Sequence, residues 1–67
     1  MIYVNGQPAA VDAPATIREV LLGLEIDPDT PGIAVAVDCE VATRAAWPTH
    51  EVAEGARVEI VTATQGG

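Results

Sequence analysis

Lysine and phenylalanine are missing from these 67 residues, and cysteine, histidine, tryptophan and tyrosine occur once each. Each shortage closes a class of function. With Cys39 alone, no internal disulfide can form, which suits a reducing compartment. With Cys39 and His50 as the only such ligands, a metal site built on several Cys or His is excluded. Without lysine there is no side-chain amine to acylate. Three arginines against ten carboxylates give a net charge of −7. That balance repels phosphate backbones, so nucleic acid is not an expected partner. It steers the chain toward basic surfaces on other proteins instead. No apolar run is long enough to cross a bilayer. No charged-then-apolar leader opens the chain, and a cytoplasmic protein is expected.

What is present bounds the architecture. A chain this short is one domain, burying about 60% of the surface its unfolded form exposes. Its stability should be roughly 3–10 kcal/mol. Met1 to Asn5 alternates, with Ile2 and Val4 on one side and Tyr3 and Asn5 on the other, which reads as a strand. Asn5-Gly6 is a two-residue hairpin signal, because both residues tolerate positive φ. Pro8 to Val11 is the expected return strand, with Pro8 at its start or on an edge.

Thr16-Ile17-Arg18-Glu19 is a capping-box sequence. Ile17, Val20, Leu21 and Leu24 follow at helical spacing and form one apolar stripe. The helix either ends with Gly23 as its cap or runs one residue further. Asp27 to Gly32, rich in proline and aspartate, is a stop. Ile33 to Val37 is a buried strand, Asp38-Cys39 a tight turn and Glu40 to Thr43 a short strand. Ala45 to Trp47 reads as a single helical turn stopped by Pro48. Glu54-Gly55 is a turn, and Arg57 to Ala63 is the last strand. One helix must cover one face of a mixed sheet of four to five strands. The apolar first and last strands belong side by side near its centre. This α+β arrangement is a β-grasp, the ubiquitin-like fold, over residues 1–63. Residues 64–67 are left as a flexible Gly-Gly tail.

The hairpin, the capped helix, "GIAVAVD", "RAAW", "EGARVEIVTA" and the final "QGG" together resemble the ThiS family, the sulfur carriers of thiamin thiazole biosynthesis. The likeness runs from Met1 to Gly67. Its most specific parts are "VTATQGG" and the spacing of Arg44 and Trp47. One departure is Asp38-Cys39, where the family often has Asn-Gly. The resemblance implies a carrier rather than an enzyme, needing no cofactor of its own. It implies that an E1-like enzyme of the ThiF type adenylates the Gly67 carboxylate. A sulfur donor, such as a persulfide-bearing protein, then converts it to a thiocarboxylate for a thiazole synthase of the ThiG type. Gly66, Gln65 and Thr64 would thread the partner's tunnel. Four extended residues reach about 13–14 Å.

If Val58, Ile60 and Thr62 face the helix, Arg57, Glu59, Val61 and Ala63 face outward. Tyr3, Val61 and Ala63 are then the expected apolar docking patch for the activating enzyme. Cys39 lies between Asp38 and Glu40 with no positive charge beside it in sequence, and it reads as a small, partly buried turn residue. His50 reads as a solvated loop residue. Trp47 should anchor the long loop onto the core, and Arg44 should either pair with a carboxylate or hold that loop. Two other readings fit the same tail. One is a different sulfur carrier of this fold, of the molybdopterin synthase small-subunit type. The other is a ubiquitin-like protein modifier or binding module.

Overall fold

The computed structural model describes residues 1–62. Ala63, Thr64, Gln65, Gly66 and Gly67 lie outside the described residues. In chain order the elements are β1 (Ile2–Val4), β2 (Gln7–Ala9), β3 (Ala15–Thr16) and α1 (Ile17–Gly23). They continue with β4 (Ile33–Val37), β5 (Glu40–Ala42), a single 3-10 turn (Arg44–Ala46), β6 (Glu51–Val52) and β7 (Arg57–Thr62). Five strands form one mixed sheet in the order β2-β1-β7-β4-β5, and β3 pairs with β6 in a small second sheet. β1 and β7 run parallel, while the other neighbours are antiparallel. The architecture is the β-grasp expected from the element order.

Both main hairpins turn on two residues with positive φ. Asn5 (52°) and Gly6 (81°) join β1 to β2, and Asp38 (49°) and Cys39 (71°) join β4 to β5. Positive φ at both central positions matches the right-handed twist of the flanking strands. β2 is shorter than the expected Pro8 to Val11 strand. It occupies an edge of the sheet, where the missing N–H of Pro8 leaves no inner ladder bond unmade.

The helix begins as its sequence dictates. Thr16 Oγ1 accepts from the Glu19 N–H at 3.1 Å, and Glu19 Oε1 accepts from the Thr16 N–H at 2.8 Å. Two further N–H groups of the first turn find carbonyls from the distant loop. Ile17 donates to His50 at 3.0 Å and Arg18 to Trp47 at 3.1 Å. The helix runs through Gly23, with Leu24 as its C-cap. The left-handed position that ends it is Glu25, at φ 61°. Ile26 N–H reaches back to the Leu21 carbonyl and Glu25 N–H to that of Leu22, the paired bonds of a Schellman ending.

The core lies between α1 and one face of the large sheet. Ile17, Val20 and Leu21 from the helix meet Ile2, Val35, Val37 and Val58 from the sheet. Val4 and Ile60 are partly buried and pack against this core. Trp47 and Val52 close the core from the loop side.

Candidate functional site

The face of the large sheet away from α1 is read directly from strand register. Residues opposed across a ladder point to the same side. The pairs Tyr3 with Arg57, Ala36 with Glu59, Ala34 with Val61 and Ala36 with Val41 therefore share one face. Val58, Val35 and Val37 share the other, against the helix. The expected alternation along β7 holds from Arg57 to Val61, with Val58 buried, Ile60 partly buried and Arg57, Glu59 and Val61 exposed, whereas Thr62, expected to face the helix, is exposed.

Tyr3 and Val61 both lie on the open face, at 41% and 61% exposure. They are not adjacent. Tyr3 pairs with Arg57, and Val61 is four positions further along β7, roughly 13 Å at the usual strand rise. The Glu59 rung stands between them. Ala63, the third expected member, lies outside the described residues. Sequence reasoning left out Val41, which at 79% exposure is the most open large apolar side chain among the described residues. Its signal was there: if Ala42 is buried, the neighbouring position of a strand must point outward. The apolar part of this face is thus Val61 beside Ala34, with Ala36 and Val41 on the next rung. Tyr3 stands across a charged row of Arg57 and Glu59. Tyr3, Asn5, Arg57, Glu59 and Val61 line one shallow open concavity.

Where β7 runs past β1, a side chain takes over the ladder. Tyr3 N–H donates to the Ala56 carbonyl and Asn5 N–H to that of Val58, each at 2.9 Å. β1 then turns away, but Asn5 Oδ1 accepts from the Ile60 N–H at 2.8 Å. Asn5 Nδ2 donates to the Ile60 carbonyl at 3.2 Å.

The residues singled out individually fall as follows. Arg44 holds the loop: its guanidinium donates to the Pro28 carbonyl and, at 2.8 Å, to that of Thr30. Trp47 is buried and its indole N–H donates to the Ala42 carbonyl at 3.2 Å. Cys39, expected to be partly buried, is exposed. The turn is tied to β7 through Asp38 and Arg57, and Cys39, its second residue, lines the open concavity. His50, expected to be solvated, is partly buried. Its backbone is bonded on both sides, to Ala46 and Ile17, which draws the residue in against the helix start. Among the described residues, no group of three or more His, Cys, Asp or Glu is placed to hold a metal ion. No helix among them is long and apolar enough to cross a membrane.

Comparison with known proteins decides the family. A model described as the ThiS family matches residues 2–67. The chain belongs to the ThiS family. As a member it is a small sulfur carrier of thiamine biosynthesis. The crystal structure of a thiamine biosynthesis protein (ThiS) from Geobacter metallireducens superimposes at a TM-score of 0.80 with 29% identity. That match covers 98% of this chain and 97% of the other. An NMR solution structure of a thiamine biosynthesis protein from the same organism gives a TM-score of 0.76, also at 29% identity, over 98% of this chain and 86% of that one. A search of curated proteins gave no match.

Proposed function

We propose that the Gly67 carboxylate is the group on which this chain carries sulfur. A ThiF-type enzyme activates it: a carboxylate oxygen attacks the α-phosphorus of ATP, and pyrophosphate leaves. The acyl-adenylate is then open to a persulfide on a donor protein, whose terminal sulfur displaces AMP. A second thiol cleaves the resulting S–S bond. It leaves a thiocarboxylate on Gly67 and a disulfide on the donor side. A ThiG-type thiazole synthase receives the sulfur. The catalytic groups belong to the partners, and the whole sequence takes place in the cytoplasm.

The observation that carries this reading is the extent of the family match, which runs through Gly66 and Gly67. Glycine suits the step physically. With no Cβ, the last residues can pass a narrow channel and bring a bare acyl carbon against a nucleotide. Thr64 and Gln65 would lie in that channel with Gly66, so that residues 64–67 work as a tail and 1–63 as the domain presenting it. The open face of the sheet, with Tyr3, Val61 and the neighbouring Ala34 and Val41, is the docking surface for the activating enzyme, and Ala63, next in sequence after β7, is proposed to belong to the same contact. An apolar centre within an acidic surface fits a partner with a basic rim.

Intact-mass measurement tests the reading. The chain is incubated with a ThiF-type enzyme, ATP and a sulfur donor. Replacement of one oxygen by sulfur at Gly67 is expected, and Gly67→Val should abolish it. A covalent protein adduct would point to a modifier instead. Sulfur transfer that yields a dithiolene with a pterin precursor, but no thiazole phosphate with the synthase, would assign the chain to the other carrier pathway.

A further inference from the structure

We propose that Asn5 is a positioning residue for the activation step, acting through its side-chain clamp on Ile60. The inference rests on the carrier reading above. β7 carries both the outward face assigned to docking and the sequence that continues to Gly67. On its β4 side it is paired as far as Thr62. On its β1 side the backbone ladder stops at Val58, because the chain turns at Asn5-Gly6. Ile60 is the next residue whose N–H and C=O face that side. The Asn5 carboxamide closes both groups.

In a continued parallel strand, the main-chain carbonyl of residue 5 and a later amide would do this work. The side-chain amide reproduces that pair in one group, since it carries a donor and an acceptor together. Aspartate offers acceptors only, and glycine offers neither. The left-handed φ of Asn5, 52°, is one that asparagine and glycine adopt readily, so the turn and the clamp can be separated by substitution. A β7 end held from both sides is ordered before the partner arrives. Without the clamp, ordering it is charged to association, which lowers apparent affinity without altering chemistry in the bound complex.

The test uses the full chain as wild type, Asn5→Gly and Asn5→Asp. Amide hydrogen exchange reads the clamp at Ile60, with Val58 as the internal reference. ATP–pyrophosphate exchange by a ThiF-type enzyme reads KM and kcat for the chain. For Asn5→Gly, loss of both hydrogen bonds to Ile60 predicts exchange at Ile60 and a KM each raised roughly 3–10-fold. Protection at Val58 and kcat should stay unchanged. Asn5→Asp keeps an acceptor for the Ile60 N–H and loses the donor to the Ile60 carbonyl, so its exchange and KM should fall between those of wild type and Asn5→Gly. Unchanged exchange at Ile60 would overturn the clamp. Faster exchange with an unchanged KM would make the clamp purely structural and overturn its positioning role. A wild-type chain that the enzyme never activates would sink the carrier reading and this role with it, whatever Ile60 shows.

Discussion

The guanidinium of Arg44 lies over the indole ring of Trp47, 4.5 Å from its centroid, while its nitrogens donate to the carbonyls of Pro28 and Thr30. One side chain thus ties the Asp27 to Gly32 stop to the 3-10 turn, two loops that share no strand pairing. Removing it should be felt in stability. Arg44→Ala is expected to cost about 1–2 kcal/mol, from a charged hydrogen-bonding fork and a cation–π contact on a partly open surface. Arg44→Lys keeps the charge but not the fork and should recover less than half of it. Urea unfolding of the three chains measures both.

Two residues occupy backbone positions that glycine fills at lower cost. Cys39 has φ 71° and Glu25 has φ 61°. Cys39→Gly converts the β4–β5 turn to Asp-Gly, the favoured pair for this geometry. Glu25→Gly places glycine at the left-handed position that ends α1. Each should raise stability by about 1 kcal/mol, the left-handed penalty less the entropy glycine adds to the unfolded chain. Cys39→Val, β-branched at the same φ, should move the unfolding midpoint the other way.

Leu21 is fully buried at the centre of the helix–sheet contact. Leu21→Ala should cost about 2–5 kcal/mol. Against a total of roughly 3–10 kcal/mol for a chain of this length, that is a large share. The variant is expected to show a much lower melting temperature and, at the upper end of the cost, a populated unfolded state at 25 °C by circular dichroism.

Val61→Asp tests the outer face without touching the core, because the side chain points away from α1 and is largely exposed. Thermal unfolding should be unchanged within about 0.5 kcal/mol, as for ordinary surface substitutions. The KM for adenylation should rise roughly tenfold or more, with a charge set into an apolar contact. Unaltered thiocarboxylate formation at limiting chain concentration would remove this face from the docking surface.

Much of this fold can be read from the chain because its signals are local. A capping box needs only Thr16 and Glu19 three residues apart, and a hairpin needs only two residues that accept positive φ. The alternation of Ile33 to Val37 and of Arg57 to Val61 already separates a buried face from an open one. The Gly66-Gly67 end and the segments around it carried the family resemblance without any knowledge of shape. Tertiary structure alone decided what depends on segments far apart in sequence. The β3–β6 pairing joins two-residue strands, too short for any period to register. The Schellman ending at Glu25 occupies a position where the sequence offers no glycine. The exposure of Cys39 depends on how its turn is tied to β7 through Asp38 and Arg57. The Asn5 clamp spans 55 positions. The register that separates Tyr3 from Val61 exists only once β1 and β7 lie side by side. Local propensity is a property of neighbours along the chain, whereas register and side-chain reach are set when distant strands close on one core.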